Sequence, residues 1–230
     1  MHIEPGVVIG AKIALSYATA IGSFGLATKL AFDTIKNEGH FGGLSALAAR
    51  TLIATALVFG FFEVLPHHPV GVSEVHFILG STLFLIFGAG PAALGLAFGL
   101  LLQGLFFAPA DLPQYGMNVT TLLVPLYAMS VLARRIIPEK VAYKDVTYRQ
   151  ALILSTSYQG GIVSWVAFWA FYGHGFGAEN LSQVAAFGAA YMTVIVIEPL
   201  LDLAVLATAK AVHGLKGNPL FTRRLYQAEA

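Results

Sequence analysis

From Val75 to Ala108 the chain runs for thirty-four residues with no formal charge, apart from what a protonated His76 would carry. No other feature constrains the fold as strongly. About 18 consecutive apolar residues mark a helix that crosses a bilayer, and several other uncharged runs here exceed that length. Charged residues make up 11% of the 230, against about 25% in an ordinary soluble domain. Such a chain cannot cover its own surface for water. The sequence therefore predicts an all-α, polytopic integral membrane protein in the lipid bilayer, with residues 1–230 as one domain and no nucleic-acid partner. It holds no cysteine, which excludes disulfides and thiolate metal sites. No internal repeat or low-complexity segment stands out.

Apolar periodicity places spans at 7–31, 44–65, 76–89, 91–108, 117–135, 149–173 and 182–208, with the long run broken at Gly88-Ala89-Gly90-Pro91. The positive charges select this count. Lys29, Lys36 and Arg50 flank the first loop, and Arg134, Arg135, Lys140, Lys144 and Arg149 surround the middle one. Lys210, Lys216, Arg223 and Arg224 lie in the tail, while 1–11, 63–78, 105–118 and 172–190 carry no Lys or Arg. Cytoplasmic loops carry the Lys/Arg excess. Seven transmembrane helices, N-terminus outside and C-terminus cytoplasmic, put all three basic places on one side. Six would put Arg134–Lys144 with the bare loops. Lys12 is the exception, and it snorkels at the outer end of the first span.

A helix from His76 to Gly88 spans about 20 Å at about 1.5 Å per residue, less than the roughly 30 Å hydrocarbon core. The outer end of the third span is thus expected below the surface, with the loop His67–Val75 dipping inward. Irregular backbone at that depth is tolerated only around a protein-lined cavity.

The chain opens Met-His-Ile-Glu-Pro-Gly. It is expected to begin at Met1 with no signal peptide ahead, and to keep that methionine because a bulky second residue discourages its removal. The free amine, the His2 amide and the His2 imidazole are then three nitrogens in sequence. Once a metal displaces the amide proton, they form two fused chelate rings in one plane. That geometry suits Ni(II) or Cu(II), and also Co(II), better than tetrahedral Zn(II). A second outer-side imidazole fills the fourth position. His40 and His213 fall on the cytoplasmic side. His67, His68 and His174 fall in outer loops. His76 alone sits at the mouth of a span, and it is the first choice, with His67 or His68 as fallback.

Three motifs, Met1-His2-Ile3 with Gly6 following, Pro69–Ser81 containing His76, and Tyr115–Thr120 containing Gly116 and Asn118, resemble the CbiM/NikM family. These are the membrane-embedded substrate-binding (S) components of energy-coupling-factor cobalt and nickel ABC transporters. The resemblance covers most of the chain. It is strongest over 1–10 and 65–125 and weak after 140. It implies a seven-helix S component in a prokaryotic inner membrane, with Co(II) or Ni(II) as transported substrate and no organic cofactor. The metal ligands it implies are Met1, His2 and His76. It also implies a membrane coupling (T) subunit, cytoplasmic ATPase subunits and often a small accessory membrane subunit, in keeping with the lack of a G-x-x-x-x-G-K-[ST] phosphate loop here. The departure from the family pattern is Glu74-Val75, where smaller residues are expected. Glu74 bears on cation entry or on coordination.

Other polar residues keep two readings each. Asn118 either caps its helix or orients a ligand such as His76. Glu198 and Asp202 share a helix face. They mark a cation path or a proton-linked step, or else pair with Lys29, another basic residue or a carbonyl. Gln103 and Ser157-Tyr158-Gln159 are expected to bond between helices, Glu63 to lie at the interface, and the glycines of 95–104 to let helices approach closely. The competing function is an intramembrane metal-dependent hydrolase built on His67, His68, His76, His174 and Glu74. It needs three protein ligands and an open position, but no H-E-x-x-H is present.

Overall fold

Inside a bilayer each backbone N–H and C=O must find its partner within the chain, and the fold follows from that demand. The computed structural model describes residues 3–38, 40–138, 141–211 and 218–222. Met1, His2, Lys140, His213, Lys216, Arg223 and Arg224 lie outside the described residues, as does the side chain of His40. The described residues form seven α-helices: α1 (Ile13–Glu38), α2 (His40–Glu63), α3 (Gly80–Phe87), α4 (Ala89–Phe106), α5 (Tyr115–Ile136), α6 (Tyr148–His174) and α7 (Ala178–Ala211). A hairpin of β1 (His68–Val70) and β2 (Ser73–Val75) joins α2 to α3. Five helices, α2 and α4 to α7, are long and apolar enough to cross a membrane. The protein is an all-α, multi-pass membrane protein.

Local chemistry sets the helix ends. Thr147 and Gln150 form a capping box, with Gln150 N–H donating to Thr147 Oγ1 at 3.2 Å and Thr147 N–H to Gln150 Oε1 at 2.9 Å. Satisfying two first-turn donors this way starts α6. Gly88, at φ 89°, separates α3 from α4 where the sequence places the break. On α4, a Cβ on Gly95 or Gly99 would lie 2.4 Å from Ala54 Cβ or 2.5 Å from Val58 Cγ1. Only glycine lets α2 and α4 approach so closely.

Two expected spans need correction. The first helix does not start at residue 7. Gly6 and Gly10 take positive φ, a 3-10 turn covers Gly10–Lys12, and the α-helix runs from Ile13 on to Glu38. Residues 3–9 are instead an irregular segment that buries Ile3, Val7 and Val8. The third helix begins at Gly80 rather than His76, because Leu79 is held in a left-handed conformation at φ 55°. The remaining spans are helices with ends shifted by a few residues.

Gly80 packs on the ring of Tyr158, well along α6, where an added Cβ would come within 2.3 Å. The short α3 therefore starts deep in the bundle, as its length requires. Arg50, expected beside a loop, is buried in α2 and paired with Glu38 at 2.5 Å; it also donates to the Phe221 carbonyl.

Candidate metal site

The segment after His2 is fastened by its backbone. Ile3 bridges antiparallel to Ser73, and Glu4 N–H donates to Val72 O at 3.2 Å. The segment thus lies along the edge of the hairpin at a single bridge. Ile3 N–H donates to Asn118 Oδ1 at 2.8 Å in a buried bond. On its other flank the segment lies on the C-terminal end of α6. His174 Nε2 is 3.1 Å from Gly6 O. Lys12 Nζ donates to Tyr172 O and Gly173 O, at 3.0 and 2.8 Å. A cation there meets the negative end of the helix dipole. At Gly173 the fit is closest: a Cβ would stand 1.8 Å from Val7 O.

The hairpin itself rests against α7. Gly71 turns it at φ 62°, and a Cβ there would lie 2.2 Å from Gln183 O. A left-handed turn pressed on a neighbouring backbone requires glycine. In the register, Val75 faces His68 and Glu74 faces Pro69. His76 follows directly and is 2% exposed. Its ring meets Phe62 edge-on, with centroids 4.6 Å apart, and Nδ1 lies 3.2 Å from Phe77 O.

Beyond His76 the chain is gripped from α7. Glu198 Oε1 accepts the N–H of Ile78 and, at 3.1 Å, that of Leu79. Its Oε2 accepts from Gln159 Nε2, and Gln159 Oε1 accepts from Tyr191 Oη at 2.6 Å. Asp202 accepts from the hydroxyls of Ser81 and Thr82. The first N–H groups of a helix lack intrahelical partners, and α3 has no capping side chain of its own. Glu198, 120 residues downstream of Ile78, takes up that task with its partner carboxylate one turn away.

This arrangement corrects several expectations. Asn118 does not cap α5, whose N-cap is Gln114; it holds Ile3. Glu198 and Asp202 do not pair with Lys29, which is exposed; their partners are backbone N–H groups, an amide and hydroxyls. Glu74 is half-buried on the hairpin. The bond expected between helices at Gln159 is present. The hydrolase set does not assemble. His67 turns to Leu65 O and His174 to Gly6 O. Among the described residues no three His, Asp or Glu side chains stand close enough together to hold a metal. Sequence reasoning missed the burial of Ile3, Val7 and Val8, although their apolar character before Gly10 was a usable signal. It also missed the grip of Glu198 on residues 78 and 79, for which no local signal exists.

A sequence profile for the CbiM family, described as a cobalt uptake substrate-specific transmembrane region, matches residues 2–214. The fold is similar to two solved structures. One, a truncated transition metal transporter, gives a TM-score of 0.68 at 17% identity, over 90% of this chain and 97% of that one. The other, a transition metal transporter, gives 0.67 at 17% identity, over 92% of this chain and 93% of that one. No curated protein sequence matches.

Proposed function

Because the chain belongs to the CbiM family of cobalt-uptake transmembrane proteins, a family of metal transporters and not enzymes, we propose that it is the substrate-capturing S component of an energy-coupling-factor transporter for Co(II) or Ni(II). Residues 1–230 act as one domain with seven spans, the N-terminus outside and the C-terminus cytoplasmic, in a prokaryotic inner membrane. The Met1 amine, the His2 amide and imidazole, and His76 hold the metal in a planar nitrogen set, which leans toward Ni(II) and also admits Co(II). The metal is cargo, and no organic cofactor takes part.

One observation carries this reading: Ile3, the residue after His2, is bridged to Ser73, three residues before the buried His76. The pairing supports capture of the metal between the first two residues and His76. Asn118 holds the same residue through its backbone N–H. Outer-shell partners of metal ligands typically contribute a factor of about 10 to 100 in affinity. Asn118→Ala is expected to weaken Ni(II) or Co(II) binding about tenfold at unchanged helix content, read by calorimetric titration and circular dichroism in detergent.

The chain carries no phosphate-loop motif, so accumulation against a gradient needs outside energy. Cytoplasmic ATPases supply it through a membrane coupling subunit, often with a small accessory membrane subunit in the complex. The test is ATP-driven uptake of radioactive cobalt or nickel into vesicles, with the protein alone and with the subunits that co-purify under mild detergent. Uptake only with the partners is the expected result. Equal uptake by the protein alone would refute the coupling.

A further inference from the structure

We propose that Glu198 is a positioning residue that fixes His76 for metal capture by gripping the backbone two and three residues beyond it; this rests on the reading of His76 as a ligand. The region to be held is small and strained. Leu79 occupies the left-handed region at φ 55°, which a branched residue adopts only where its surroundings over-determine it. The following helix has eight residues and no cap of its own, so it cannot hold the loop ahead of it.

The grip comes from the far end of the chain and is itself locked. Glu198 is fully buried, and both of its oxygens are engaged: Oε1 by Ile78 and Leu79 N–H, Oε2 by Gln159. Gln159 is fixed in turn by the buried Tyr191 hydroxyl at 2.6 Å. Asp202 ties Ser81 and Thr82 one turn further on. The carboxylate therefore has one available orientation, and Ile78 has one available place. His76 is two residues away, with its ring set between Phe62 and its own Nδ1···Phe77 O contact. Ligand geometry must hold to about 0.5 Å for productive binding, and release of Ile78 and Leu79 frees the backbone that sets the imidazole. Glu198 touches no metal in this role. It acts through Ile78 and Leu79.

Four variants of the full chain test this: E198A, E198Q, H76A and the double variant E198A/H76A. The readouts are Ni(II) affinity, the visible ligand-field band and the metal-free Tm. E198A is expected to lose about 10- to 100-fold in affinity with a shifted band. E198Q is expected to recover most of that loss, because its amide oxygen still accepts both N–H groups and Gln159 can turn its own amide to match. In the H76A background E198A is expected to change the residual affinity little. Unchanged affinity and band in E198A overturn the proposal while H76A still loses binding. An equal loss from E198A with and without His76 also overturns it, since Glu198 would then serve stability alone. Unchanged binding in H76A removes the ligand reading itself and the proposal with it. Should E198A fail to fold, E198D takes its place. One carbon shorter, it cannot hold both N–H groups, and a full native affinity there overturns the proposal equally.

Discussion

His76→Ala is expected to lower Ni(II) and Co(II) affinity by well over a hundredfold, more than the roughly 10- to 100-fold of an outer-shell change. On the proposed ligand set, the change removes the fourth planar nitrogen. Among the described residues His67 faces Leu65 O and His174 faces Gly6 O, while His68 is exposed on β1 and paired in register with Val75. The buried Phe62 ring would lose the imidazole packed against it, and a substituted methyl group donates nothing. The fold should survive, since the helices on either side keep their own contacts. Titration with each metal, alongside circular dichroism, checks the prediction. Loss of helicity together with binding would instead mark His76 as a core residue.

The second large effect is expected from Gly173→Ala. One methyl group is added, but it would stand 1.8 Å from Val7 O and 2.8 Å from Val7 C, both backbone atoms. A backbone cannot turn aside as a flexible side chain can. The segment 3–8 must lift from α6, which pulls on the Ile3–Ser73 bridge and the Ile3–Asn118 bond. Overpacking of this kind costs about 1–3 kcal/mol. If that strain falls on the seat of the first residues, metal affinity drops by up to about a hundredfold. Hydrogen exchange should rise over residues 3–8 and stay unchanged in α4 and α5. Gly177→Ala is the control: it sits in the next turn of chain with open space around its Cβ position and should bind as the parent does.

Much of the architecture was legible because lipid leaves a chain few choices. Long uncharged runs must become helices, and the Gly88-Ala89-Gly90-Pro91 run marked the break that the structure places at Gly88. The two misplaced helix starts share a physical origin. At residues 7–12 an apolar run read as a span, yet Gly6 and Gly10 turn the backbone and the segment packs on the end of α6 at Tyr172 and Gly173. At residues 76–79 an apolar run read as helix, yet Glu198 fixes the backbone there in another shape. In both cases the deciding partner lies far along the chain, where local periodicity carries no information. Asn118 shows the same limit. Its setting left a helix cap and a ligand-orienting role open, but its partner, Ile3, is 115 residues away, and neither reading named it. The chemistry of Met1-His2, by contrast, is read directly from adjacent atoms and needs no fold.

The central claim is that the amine of Met1 is a ligand, and one comparison tests it most directly. Two forms of the protein are prepared in detergent, each tagged only at the C-terminus. One begins at Met1 and the other carries a single glycine ahead of it. Each is titrated with Ni(II) and Co(II) while the visible absorption of planar coordination is followed. The account predicts tight binding with a planar band for the first form, and loss of both for the second, with binding in the first also falling at acid pH as the nitrogens take up protons. Equal affinity and an identical band in the two forms would contradict it, and would leave the metal to side chains alone.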